Sequence, residues 1–232
     1  MNVNPSRVNL LRAIEAYAAE MPDNAIMLDA GSGNGPYAHL FTHTHYESAD
    51  FEKVDKPYAA STHVCDLADI PVENDRYDYV LLSQVLEHLP NPIEVLRELN
   101  RVTKPGGVIL ASAPFLYEEH EQPYDFYRYT QFAMREMFEK AGYEIESIDW
   151  LEGFFATSGY MCHMMASYLP LAPRHYGGGL IGYAMTPVAL CARPMFLLAS
   201  RLLSRLDLRH QFTAYGFPKN YIVRARKPDR HA

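Results

Sequence analysis

Four groups of residues have types and spacings that chemistry uses. The first is Leu28-Asp29-Ala30-Gly31-Ser32-Gly33-Asn34-Gly35-Pro36-Tyr37, which continues a short apolar run. Glycines let a backbone approach a ligand closely, and the N–H groups of such a turn are free to bind it. No Gly-Lys-Ser/Thr follows, which excludes a P-loop. A dinucleotide fingerprint counted from Gly31 needs glycine at 36, where Pro36 stands. The shifted frame Gly33-x-Gly35-x-x-Ala38 does satisfy that fingerprint, so the turn alone leaves NAD open.

The second group is Asp50 and Asp66-Leu67, which close the next two apolar runs. A carboxylate at the end of a second strand suits the two hydroxyls of a ribose. One at the end of a third strand can accept from an adenine amino group, with Leu67 against the ring. The third group is Glu87-His88, after the fourth run, where an imidazole is a candidate base or orders the loop. The fourth is His120-Glu121-Gln122-Pro123-Tyr124-Asp125-Phe126-Tyr127-Arg128-Tyr129-Thr130. Its aromatics and charges suit a ring that carries hydroxyls, with His120 and Asp125 as candidate catalytic groups and Tyr124, Tyr127 and Arg128 as candidate substrate contacts. Alternatively, Asp125 and Arg128 pair with each other and cap the next helix. His39, His43 and His45 fall where a surface helix is expected, and no compact His/Asp/Glu cluster is evident, so no metal is expected.

The elements that position these groups follow from periodicity. Val8, Leu11, Ile14 and Ala18 recur at helical spacing in a first helix that stops before Pro22. Ala25–Ala30, Tyr46–Asp50, His63–Leu67 and Tyr77–Gln84 read as strands. Asn91-Pro92 opens a capped helix, and Lys104-Pro105-Gly106-Gly107 ends it and leads into a strand over Val108–Ala113. Thr130 caps a helix through Ala141, and strands follow at Tyr143–Trp150 and Tyr221–Lys227. Alternating strands and helices imply a doubly wound α/β domain with a largely parallel sheet, whose ligands bind at the carboxyl ends of the strands.

From Leu28 to Phe115 the chain resembles the class I S-adenosylmethionine-dependent methyltransferases, particularly the small-molecule group. The resemblance rests on Asp29-x-Gly31-x-Gly33-x-Gly35, Asp50, Asp66-Leu67, Tyr77-Asp78-Tyr79-Val80, Glu87-His88-Leu89 and Lys104-Pro105-Gly106-Gly107, taken together and in order. It implies a Rossmann-like, mostly parallel seven-stranded sheet with S-adenosyl-L-methionine as cofactor. The cofactor contacts it implies are Asp29, Gly31, Ser32, Gly33, Gly35 and Tyr37 around the methionine part, Asp50 and Phe51 at the ribose, Asp66 and Leu67 at the adenine, and Ser83 and Gln84 beside the sulfonium. The His120–Thr130 string also resembles methyltransferases of surface-glycan and secondary-metabolite pathways.

Composition bounds the remainder. Residues 1–173 hold 26 Asp/Glu and 11 Lys/Arg, while residues 174–232 hold 2 and 10. The acidic body argues against nucleic-acid binding, and the basic tail suits an anionic partner or the acidic body itself. Three scattered cysteines and no secretory signal fit a cytoplasmic protein. About 70 residues separate Trp150 from Tyr221, which predicts a helical insertion over 154–214 within a domain formed by 1–153 and 215–232. Phe154–Pro173 and His175–Ala192 lack charged residues but are interrupted, and neither is read as a transmembrane helix. Met195, Phe196, Ala199, Leu202, Leu203 and Leu206 share one helical face, with Arg201, Arg205 and Arg209 on another. Residues 194–209 therefore suit an anionic membrane surface on the inner face, a lid or a homodimer interface. The expected function is methyl transfer to a small-molecule or glycan hydroxyl, with a lipid-linked acceptor as one form. The rivals are C-methylation of a prenylated quinone-type ring and a non-catalytic cofactor-binding partner subunit.

Overall fold

A computed structural model describes residues 4–52 and 57–229. Strands β1 (Ile26–Ala30), β2 (His45–Asp50), β3 (His63–Val64), β4 (Tyr77–Ser83), β5 (Thr103–Pro114), β6 (Glu144–Trp150) and β7 (Asn220–Arg226) form one sheet in the order β3-β2-β1-β4-β5-β7-β6. The first five pair in parallel, and β7 runs antiparallel to both β5 and β6. The order reverses between β1 and β4, so the crevice beyond their carboxyl ends is the place for a ligand.

Alternate residues of the strands feed two cores. Leu28, Val80, Leu82 and Ile109 face one core, which helices α2 (Pro92–Val102) and α3 (Gln131–Lys140) close through Leu96, Leu99, Met134 and Phe138. Met27, Leu81, Val108 and Leu110 face the other, which α1 (Pro5–Ala19) closes through Leu10, Ile14 and Tyr17. The buried Tyr17 hydroxyl reaches the carbonyls of Val80 and Val108 at 2.9 and 2.8 Å, so one polar group ties the helix to two neighbouring strands. The doubly wound, mostly parallel seven-stranded sheet is thus as expected.

Several local expectations change. The run His63–Leu67 contributes only two strand residues, and Asp66 accepts from the Ala68 N–H in the turn that follows. Lys104–Gly107 is no turn before β5 but an irregularity within it, where the register against β4 slips between Tyr77 and Tyr79. No surface α-helix follows the Gly-rich turn. Only a single 3-10 turn, Ala38–Leu40, forms before Thr44 bonds the Phe41 carbonyl and the chain enters β2. His43 bonds the Ala18 carbonyl and His45 begins the strand, so the three histidines do not share a helix.

The chain divides into two compact units: Leu10–Leu151 with the segment from Asn220, and Glu152–Lys219 with the amino-terminal residues up to Asn9. The second unit pairs α4 (Phe154–Tyr168) with α5 (Gly179–Asp207). Gly159 of α4 sits where a Cβ would come within 3.0 Å of Ser204 Oγ, so the helices meet at van der Waals range. Asp207, 2% exposed, accepts from the Gly153 N–H at the amino end of α4. The helix expected to begin at Pro194 begins fifteen residues earlier and runs through Pro187 and Pro194.

Candidate active site

The Gly-rich turn leaves β1 over the end of β4. Gly31 has φ +74°, and a Cβ there would lie 2.4 Å from Val85 Cγ2, so only glycine fits. The Gly33 N–H donates to Asp50 Oδ2 at 2.9 Å, while the Glu52 N–H donates to Oδ1 at 3.1 Å. Asp50 is buried and orders both loops, yet each oxygen keeps acceptor capacity toward the crevice. Nothing lies within 4 Å of a Cβ built on Gly33, which leaves room there for a ligand.

An open cleft occupies this position. Gly31, Asp50, Phe51, Asp66 and Leu67 line one part of it, and Gln84, His88, Tyr124 and Phe126 line another. Those nine were singled out from sequence or lie in the segments singled out. Leu89 and Glu121, from segments also singled out, line it as well, and so do Val85 and Pro90, whose types carry no chemical signal that would have marked them. Gln84 (φ 57°) and Glu121 (φ 49°) both hold the left-handed backbone that side chains disfavour, as residues at functional sites often do. The Gln84 amide bonds Ser112 Oγ of β5, which fixes its orientation. Ser32, Gly33, Gly35, Tyr37 and Ser83 do not line it.

Asp29 is not on the cleft surface. It is buried beneath the turn and accepts from the Tyr46 hydroxyl at 2.8 Å, and burial raises its pKa to about 6. Its place is therefore structural support for the loop.

The segment after β5 folds back on the turn Leu86–His88. The N–H groups of Phe126 and Tyr127 reach the Glu87 carbonyl, the Tyr129 hydroxyl bonds the Leu86 carbonyl, and His88 Nδ1 bonds the Tyr124 carbonyl at 2.5 Å. A carbonyl only accepts, so Nδ1 carries the proton and Nε2 is the lone-pair nitrogen of neutral His88. Tyr124 packs edge-on against Phe51 at 5.7 Å, joining the two parts of the cleft.

Arg128 is not free to bind a substrate. Its guanidinium pairs with both oxygens of Asp125 at 2.6 and 2.8 Å and reaches the carbonyls of Tyr117, Glu118 and Tyr127, which engages every N–H. That guanidinium holds the Asp125 carboxyl down at about 2, and Asp125 also accepts from the His120 N–H. Asp125 is thus a positioning residue rather than a base. Tyr127 bonds the Pro90 carbonyl and faces a separate surface groove.

One expectation is reversed. Glu87, His88 and His120, although 33 residues apart in sequence, each bring a ligand-capable atom within 4.8 Å of the others. The pairing of β4 with β5 joins them, which linear spacing does not reveal. The rings of His88 and His120 meet edge-to-face at 4.7 Å. Burial raises the Glu87 carboxyl to about 8 and lowers His88.

A family model described as a methyltransferase domain matches residues 6–148, more than half of the chain. The chain belongs to the methyltransferase family. Its fold is that of the class I S-adenosylmethionine-dependent enzymes, and the cleft fits their cofactor: a glycine cradle that a Cβ would fill, a buried carboxylate and an apolar wall. No α-helix amino end, on which a dinucleotide's pyrophosphate would rest, directly follows the turn. An uncharacterized methyltransferase of Mycobacterium leprae (strain Br4923) is 33% identical over 101 residues, covering 39% of this chain and 38% of the relative. The chain thus matches well under half the length of that relative. Among solved structures, the [4+2]-cyclase SpnF is similar at TM-score 0.57 and 18% identity, over 95% of this chain and 82% of that one. The Burkholderia thailandensis 1,6-didemethyltoxoflavin-N1-methyltransferase, with 1,6-didemethyltoxoflavin and S-adenosylhomocysteine bound, gives TM-score 0.55 at 15% identity, over 94% and 78%. Both likenesses speak to the fold alone.

Proposed function

We propose that this methyltransferase moves a methyl group from S-adenosyl-L-methionine to a hydroxyl of a small molecule or glycan. The observation that carries this reading is one cleft with Asp50, Asp66 and Leu67 in one part and His88, Tyr124 and Phe126 in another. The cofactor supplies an electrophilic methyl on a sulfonium, whose leaving group is a neutral thioether. Asp50 holds the ribose hydroxyls, and Asp66 with Leu67 holds the adenine. Tyr124 and Phe126 hold the acceptor ring, so the protein's contribution is mainly orientation. As the O–CH3 bond forms and the S–CH3 bond breaks, the hydroxyl must lose a proton, which an imidazole at the cleft or a water held there takes up. The side of the cleft with His88 and His120 favours an oxygen acceptor for that reason. C-methylation of a prenylated quinone-type ring is the competing outcome. Calorimetry with S-adenosylmethionine, S-adenosylhomocysteine and NAD tests the cofactor side. Asp50→Ala should weaken the first two by more than tenfold, since a buried charge-assisted bond is worth about 1.5–3 kcal/mol. NAD binding in place of both would refute the assignment. Labelled cofactor incubated with pools of hydroxylated and quinone acceptors then separates O- from C-methylation.

The reading extends to an anionic membrane surface at the cytoplasmic face, contacted by the α4–α5 unit. Helix α5 is long and apolar enough to cross a membrane by composition, and only 11% of its most apolar stretch is buried. Leu180, Ile181, Tyr183, Val188, Met195 and Leu198 are exposed, and Arg201, Arg205 and Arg209 follow on its last turns and just beyond. Crossing is disfavoured by topology. The sheet takes the chain out at β6 and back at the adjacent β7, so α4 would have to span as well. At 1.5 Å per residue, its 15 residues reach about 22 Å, short of a hydrocarbon core of about 30 Å. A hairpin that dips into one leaflet meets both constraints, and it would suit a lipid-linked acceptor.

A further inference from the structure

We propose that Glu87, His88 and His120 bind one divalent transition-metal ion of the zinc, manganese or iron(II) class at the acceptor side of the cleft. Two imidazoles and a carboxylate are the donor set such ions take, with the remaining positions open to water or substrate. Three observations support it independently of any reaction. His88 Nε2 lies 3.9 Å from Glu87 Oε1, close to the roughly 3.4 Å between ligands of a tetrahedral ion with bonds of about 2.1 Å. Glu87 is 1% exposed, and its Oε2 accepts no hydrogen bond, a costly state for a buried carboxyl that a cation would relieve.

The third observation is the outer support. A metal-bound histidine commonly donates its other ring N–H to a carbonyl or carboxylate, which orients the ring. His88 Nδ1 bonds the Tyr124 carbonyl, and His120 Nδ1 lies 3.2 Å from the Glu118 carbonyl and 3.4 Å from Asp125 Oδ2. Both rings therefore keep Nε2 for a ligand, and the Asp125–Arg128 pair that occupies no cleft surface gains a purpose. His88 lines the cleft, so an acceptor oxygen can complete the coordination and lose its proton more readily there. The ion's role rests on the proposed methyl transfer; its binding does not.

The test uses the full chain, stripped with chelator and titrated with Zn²⁺ and Co²⁺ in an indicator competition, with the Co²⁺ visible spectrum and S-adenosylhomocysteine calorimetry in parallel. One ion per chain is expected. Glu87→Gln and His120→Gln should lower its affinity more than about tenfold, Asp125→Asn by roughly 10–100-fold, and His43→Ala not at all. S-adenosylhomocysteine binding should persist throughout. Broadening of the His88 and His120 ring resonances by Co²⁺ in the wild-type chain decides the matter should a variant misfold. No binding by the wild type, or binding that survives Glu87→Gln with His120→Gln, overturns the site. Cofactor binding without metal would leave the methyltransferase reading standing.

Discussion

Replacing Leu180 and Ile181 together by serine should release the protein from anionic vesicles without loosening it. Leu180 is 91% exposed and Ile181 72%, so the folded unit gains almost nothing from burying them. At about 2 kcal/mol for each fully buried aliphatic side chain, their exposed fractions are worth about 3 kcal/mol in a lipid leaflet, about a hundredfold in partitioning. Surface changes of this kind shift folding stability by only about 0.5 kcal/mol, so urea midpoints should stay put. The arginines act separately. Arg201→Gln with Arg205→Gln removes about 2 kcal/mol at low salt, about thirtyfold, and the difference should shrink as the Debye length falls from about 10 Å at 0.1 M to about 3 Å at 1 M. Co-sedimentation with phosphatidylglycerol-containing and neutral vesicles at two salt concentrations reads both effects. Absence of sedimentation with either vesicle refutes the membrane reading. Light scattering that shows a dimer dissolved by the leucine–isoleucine change would assign the face to a second copy of the chain.

Two further outcomes probe the sheet and the turn. Gly31→Ala should destabilise the protein by about 1–2 kcal/mol from its positive φ alone, and further through the Val85 contact, with a matching loss of cofactor affinity. Val85→Ala in the same chain should recover only the contact part, which a double-mutant cycle in urea measures. Glu47 lies on β2, where burial would raise its carboxyl but bonds from Arg76, Tyr77 and His63 outweigh that and hold it at about 2, below the ordinary 4.5. A depressed carboxyl stabilises above its unfolded pKa and stops doing so as pH falls through its folded one. Glu47→Gln should therefore be less stable at pH 7, with the gap from the wild type closing between pH 4.5 and about 2. A gap that persists at pH 2 would show that the carboxylate charge is not its source.

The sheet was legible because its strands are apolar runs bounded by turn residues, and because each carboxyl end carries a distinctive side chain. The failures have local causes. Prediction assigns a helix to the segment after Gly35 because a strand–turn–helix unit is the rule. Thr42, His43 and Thr44 are poor helix formers, and Thr44 instead bonds the Phe41 carbonyl and hands the chain to β2. The opposite error occurs in α5. Prolines 187 and 194 suggest breaks, since each removes a backbone donor and crowds the preceding turn. The helix continues because packing against α4 holds it, and Arg193 bonds the carbonyls of Ser167 and Leu169 at the end of that partner. Tertiary contact overrides the local signal in both places.

At the site, single residues were legible, and of their partnerships the Asp125–Arg128 pair was read only as one of two alternatives. Asp50 and Asp66 could be read from strand ends because the parallel pairing of β1 to β5 brings their carboxyl ends to one edge. Sequence left Arg128 between a substrate contact and a pair with Asp125, because whether a guanidinium meets a ligand depends on how many of its donors the backbone has already taken. Here the carbonyls of Tyr117, Glu118 and Tyr127, with Asp125, take them all. The same folding-back of residues 117–129 aims His120 at His88 and closes Phe126 and Tyr127 onto Glu87. A segment that looked like a substrate grip by composition is thus mainly a brace that orients two imidazoles and one buried carboxyl. Its rigidity has a chemical consequence. Donors already held in place lose little freedom when they engage an ion or an acceptor, so most of their interaction energy remains for orienting the reacting oxygen.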